Sequence, residues 1–173
     1  PGSPIICPPD ALDEYMRVAR YSIMKLTAKR PDVVQALASA NAACHLSTPE
    51  SPGWSAGNGW SQFTCAAYGG AYSIARRSAI VMHEMGHQFH MYGCEWLDPT
   101  FKERHKQNFI ANYRERKWMG GYGAVNKHEN FAVWTSGWLN DGTWDVGATT
   151  PREILRQSDP RMFHLLADYF PGD

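Results

Sequence analysis

The sequence predicts an α+β fold, mainly helical, with one small sheet placed just before a central helix. Three observations carry that reading. Apolar residues recur at three- and four-residue steps through most of the chain, the period of a helix with one buried face. Short β-prone runs fall only between residues 44 and 74. Ala79, Ile80, Val81, Met82 and Met85 crowd one helix so densely that it must be buried on most sides.

Taken in order, Pro8-Pro9-Asp10 opens a helix over 9–29, with Leu12, Tyr15, Met16, Ala19, Ile23 and Leu26 as its stripe. Pro31, suited to a first helical position, starts a second helix through about Ala40, with Val33, Val34 and Leu37 inward. Cys44 to Ser47 reads as a short strand. Residues 49–70 are rich in Gly, Ser, Pro and Trp, which marks loops and turns. Within and after them, Gln62 to Cys65 and Ala71 to Ile74 read as strands, with Gly69-Gly70 suited to a tight hairpin between the two. Ser78 suits the N-cap of the central helix, which runs to about Tyr92 before Gly93 stops it.

Asp98-Pro99 reads as cap and first residue of the next helix, ending near Trp118, with Phe101, His105, Phe109 and Tyr113 as its stripe. Gly120 to Gly123 is a loop. A helix over 126–140 follows, carrying Phe131, Trp134, Thr135 and Trp138. Thr150-Pro151-Arg152-Glu153 is a capping box, and Asp159-Pro160 opens a last helix that packs Phe163, Leu166 and Phe170.

The 173 residues suit one domain. Residues 1–75 supply the N-terminal helices and the sheet, and 76–173 the helices around the central one. Seventeen basic residues balance seventeen acidic ones, so nothing draws the chain to nucleic acid or an anionic membrane. No apolar run reaches membrane-spanning length, no signal-peptide pattern opens the chain, and a monomer is expected. Cys7, Cys44, Cys65 and Cys94 form no C-x-x-C pair. Four dispersed cysteines suit two disulfides in an exported protein, in any of three pairings, so secretion is expected; the alternative is four buried thiols in a cytosolic protein.

Chemistry concentrates at His83-Glu84-Met85-Gly86-His87, an H-E-x-x-H pattern. Residues four apart share a helix face, so His83 and His87 can offer two imidazole nitrogens to one cation. Glu84 sits beside them and can hold a water on that cation. This is the arrangement of a zinc ion with a general base found in metallopeptidases. A buried helix is a costly place for two histidines and a carboxylate unless something binds them.

Catalytic zinc usually keeps three protein ligands. The H-E-x-x-H-x-x-G-x-x-H pattern fails, because His90 stands at its glycine and Gly93 at its last histidine. His90 lies about 10 Å along the helix axis from His83, too far to complete the same tetrahedron, and is expected in a supporting or core role. Glu95 follows the helix closely, and glycan-targeting peptidases of the enhancin type place a glutamate there. Glu129 stands in the first turn of a later helix. It is either the reciprocal capping partner of Asn126 or a ligand presented by a helix crossing the central one, as in gluzincins.

Tyr122-Gly123-x-x-Asn126-x-x-Glu129-x-Phe131-Ala132 resembles the downstream signature of the anthrax lethal factor catalytic domain and the related bacterial Pro-Pro endopeptidases. The resemblance covers about residues 78–140. It implies a zincin-like fold and one catalytic Zn2+ held by His83, His87 and Glu129, with the Tyr122 hydroxyl stabilising the oxyanion. One position departs from the family: Val133 stands where relatives often carry a second acidic residue.

The expected activity is therefore a zinc endopeptidase acting on a polypeptide substrate, with Glu84 taking the proton of a zinc-activated water. Trp60 and Tyr72, with Trp54 and Tyr68, either line a groove for an extended peptide or cover the core. Two other readings stand beside it. One is a glycoprotein- or cell-wall-directed peptidase completed by Glu95. The other is a zincin-fold toxin or binding module without activity of its own.

Overall fold

The computed structural model describes residues 4–9, 13–47, 62–66, 74–119, 121–139 and 151–172. The architecture is mainly helical with one small sheet, as the periodicity indicates. Helix α1 (Asp13–Thr27) buries Tyr15, Val18, Ala19, Ser22 and Leu26 at helical spacing, with Asp13 and Glu14 in its first turn. Helix α2 (Pro31–Ser39) starts on its proline and buries Val33, Ala36 and Leu37.

The sheet differs from expectation in membership and direction. Among the described residues it has three strands, β1 (Ile5–Ile6), β2 (Ala43–Ser47) and β3 (Gln62–Ala66), in that spatial order. Both pairings are parallel, Ile5 opposite Cys44 and Cys44 opposite Phe63. Parallel neighbours need a crossover rather than a hairpin. The expected hairpin turn at Gly69-Gly70 and residues 71–73 lie outside the described residues. Ile74, read as the end of a strand, instead opens the central helix α3 (Ile74–Gln88).

Helix α3 therefore begins a turn before Ser78, which is not its cap. The Ser78 hydroxyl meets that of Ser22 on α1 at 2.9 Å, a buried polar contact between two helices. Nor does Gly93 end the helix. The chain passes through a π-helical turn at Phe89–Cys94 and one further turn, α4 (Glu95–Leu97). A Cβ on Gly93 would lie 2.5 Å from Val33 Cγ1, so the glycine lets α2 press against this turn.

Thr100 is the N-cap of the next helix, and Asp98 sits two residues before it. The Asp98 side chain accepts from the Thr100 N–H at 2.8 Å and the Thr100 hydroxyl at 2.7 Å, and α5 (Phe101–Arg114) begins two residues later than the Asp98-Pro99 pair suggests. A short 3₁₀ turn, Tyr122–Ala124, leads to α6 (Lys127–Leu139). This helix is buried from Asn130 through Ala132 and again from Thr135 through Leu139, so it has no solvent stripe. It crosses α3 as that helix's most extensive neighbour.

Helices α7 (Pro151–Ser158) and α8 (Pro160–Tyr169) close the fold. Asp159 caps α8, accepting from Met162 N–H at 3.1 Å. Thr150 lies outside the described residues, and Glu153 accepts from Arg156 and Gln157. One core joins the long helices and β2, with Leu26, Leu37, Met82, Met85, Phe89, Phe101, Phe131, Leu166 and Phe170 at its centre.

The cysteine reading needs correction. Cys7, Cys44 and Cys94 are free thiols. Cys7 Sγ lies 3.4 Å from the Met16 sulfur, and Cys44 and Cys94 are sealed in the core. Cys65 stands opposite Leu46, two register steps from Cys44 along adjacent strands. That is about 8 Å between Cα atoms, beyond disulfide reach. With three of the four thiols free, two disulfides do not form. Among the described residues no helix is long and apolar enough to cross a membrane.

Candidate metal centre

The site is built where α3 crosses α6. A Cβ on Gly86 would lie 3.3 Å from the Thr135 side chain and 3.4 Å from Ala132 Cα. The missing side chain lets the two helices approach closely. His83 lies one turn before Gly86, and Glu129 one turn before Ala132, so both reach the seam from the same side.

Glu129 Oε2 is 3.1 Å from His83 Nε2 and 3.5 Å from His87 Nε2. All three donor atoms lie within 4.8 Å of one another. The imidazole rings stand nearly perpendicular, with centroids 4.9 Å apart. A tetrahedral zinc ion with 2.0–2.1 Å bonds has ligand-to-ligand edges of about 3.3 Å. The two short separations match that edge, and the donor set of two imidazoles and a carboxylate suits zinc. The residues present therefore fit the ion that the H-E-x-x-H pattern implies.

The helix start explains why Glu129 is available. Asn126 Oδ1 accepts from the N–H groups of His128 at 2.9 Å and Glu129 at 3.0 Å. The cap expected from the sequence exists, but its reciprocal half does not: the Glu129 side chain turns to the imidazoles instead.

Electrostatics follow from burial. The His83 imidazole is held down to about 4 by burial, and His87 to about 3 by burial and then by the neighbouring His83 and His128. Both are neutral at pH 7 and can present lone pairs to a cation. His83 Nδ1 is buried with no partner among the described residues. Burial, and then the charge of Glu129, pushes Glu84 up to about 7. Glu129 is raised by burial, against which the hydrogen bond from Tyr122 works.

Tyr122 stands 57% exposed at the rim, its ring 5.9 Å from that of His83. Asn130 positions its turn: the buried Asn130 amide donates to Gly123 O at 3.0 Å, and Val133 packs beside the same glycine. In the sequence Asn130 is marked only by its place directly after Glu129.

Glu95 is not at the imidazole pair. Its Oε1 lies 3.3 Å from Lys127 Nζ and 3.4 Å from His90 Nε2. His90 is fully buried and stacked on Phe131 at 5.0 Å, in keeping with the supporting or core role its spacing suggests. Trp54, Trp60, Tyr68 and Tyr72 lie outside the described residues.

Comparison with protein-family models, with curated proteins and with solved structures finds no match to this chain.

Proposed function

We propose that the chain is a zinc-dependent endopeptidase with a zincin-like fold, its ion held by His83, His87 and Glu129. The observation that carries this reading is the convergence of Glu129 Oε2 on two imidazole nitrogens, 3.1 and 3.5 Å away, beside a half-buried carboxylate. Zinc bound there supplies Lewis-acid chemistry, polarising a carbonyl and acidifying a water. Glu84 is the general base. Its raised pKa suits a group that takes a proton from the attacking water and returns it to the leaving amine near neutral pH. In this reading the Tyr122 hydroxyl, which donates to Glu129, turns to the carbonyl oxygen as negative charge develops on it.

Digestion of a peptide library tests the proposal, with and without a zinc chelator and with Glu84→Gln as control. Cleavage that the chelator abolishes, zinc restores and the variant lacks supports it. A zinc-loaded protein that cleaves nothing in the library leaves a binding module as the better reading, and full activity of Glu84→Gln rules out this mechanism.

A further inference from the structure

Behind the candidate centre lies a second group of imidazoles that the proposed reaction does not use. His90 Nδ1 is 3.3 Å from His128 Nδ1, and His90 Nε2 is 3.2 Å from His105 Nδ1. His90 Nε2 is also 3.4 Å from Glu95 Oε1, which in turn accepts from Lys127 Nζ at 3.3 Å.

The π-helical turn makes the Glu95 contact. Residues five apart on an α-helix point about 140° away from each other. The i→i+5 bonding of a π turn, here Glu95 N–H to His90 O, brings them onto one face. The carboxylate then fixes the tautomer of His90. A proton on Nε2 faces the Glu95 oxygen, and a lone pair there would repel it. With the Glu95 carboxylate 3.4 Å away, Nε2 keeps the proton and donates it to His105 Nδ1, so His90 Nδ1 must accept, and His128 Nδ1–H donates to it.

His128 is the residue before Glu129, in the same opening turn of α6. The bond from His128 to His90 thus fastens that turn to the continuation of the motif helix. The Lys127–Glu95 pair fastens it a second time.

We propose that His90 and His128 are positioning residues that set where the Glu129 carboxylate meets His83 and His87, with Glu95 holding His90 in the accepting tautomer. The inference rests on the reading of those three side chains as metal ligands.

Zinc affinity of the full chain, measured by competition with a chelator, tests it beside thermal melting of the metal-free protein. His128→Ala weakens zinc binding about 10-fold, the low end of what supporting partners contribute, and moves the metal-free melting point little, because His128 is only half-buried. His128→Asn, whose amide nitrogen overlays Nδ1, restores most of the affinity. His128→Gln, with its donor one bond further out, does not. Wild-type affinity in His128→Ala overturns the proposal, and so does an equal loss in all three variants that follows their melting points. A wild-type chain that takes up no zinc, or whose uptake survives His83→Ala, overturns the metal reading and this inference with it. The two failures are therefore distinguishable.

Discussion

Asn126 caps the helix that carries Glu129, its side-chain oxygen 3.0 Å from the Glu129 N–H, and asks nothing of the Glu129 side chain in return. The carboxylate is left to face His83 across the α3–α6 seam. Replacing Glu129 with Ala should therefore leave the helix start intact and weaken zinc binding by more than about 100-fold, beyond the range of supporting residues. Glu95→Ala should keep the ion. Metal content after dialysis, measured on both variants side by side, checks this, and the reverse pattern would restore Glu95 as the ligand.

Glu84 and Tyr122 separate chemistry from metal binding. Glu84→Gln should retain zinc and lose activity by about 10²- to 10⁴-fold, the span of a general base. Tyr122→Phe should lower kcat about 10- to 1000-fold with little change in KM or metal content. Steady-state kinetics with parallel zinc analysis read both effects.

Gly93 and Val33 make a stability pair. The Cβ of Gly93→Ala would overlap Val33 Cγ1, and overpacking of this kind costs about 1–3 kcal/mol. Helix propensity favours alanine by about 0.5–1 kcal/mol, so the net effect is a loss. Val33→Ala in the same chain should recover part of it. A denaturant-melt double-mutant cycle should show coupling between the two sites, and additive losses would deny the contact.

Buried His105 sets an acid limit. Burial holds its imidazole down to about 3, with the nearby Lys127 and His128 adding to the effect. The unfolded chain takes up the proton near pH 6.5, and the folded chain does not until about pH 3. The unfolded state binds more protons throughout that window, so stability is full above about pH 6.5 and falls as pH drops. Each such imidazole steepens the fall by at most about 1.4 kcal/mol per pH unit. His105→Phe should flatten the slope of stability between pH 6 and 4 relative to wild type, measured on metal-free protein by denaturant melts. An unchanged slope would show that His105 is not neutral in the fold.

Much of this was legible in the residues. The H-E-x-x-H spacing, the N-x-x-E-x-F-A run and the Asp159-Pro160 start each express a local rule, and local rules survive folding. What escaped depends on partners distant in sequence. Gly93 reads as a helix stop, but Val33, sixty positions earlier, gives it another purpose. Ser78 reads as a cap until Ser22 is seen across from it. Strand patterns located β2 and β3 but not their parallel sense, because direction belongs to the connection rather than to the strands. Glu95 reads as a ligand on proximity in sequence alone; the π turn that rotates it toward His90 has no recognised sequence signal.

The place of the α3–α6 crossing has a mechanical consequence. His83 and Glu129 each stand three residues, about 4.5 Å along the helix axis, from the pivot where Gly86 meets Ala132. A 5° swing of one helix about that pivot moves the backbone at such a residue by roughly 0.4 Å, and the far end of α6 at Leu139 by a little over twice as much. Short lever arms keep the three donors in register while the outer ends of the helices breathe.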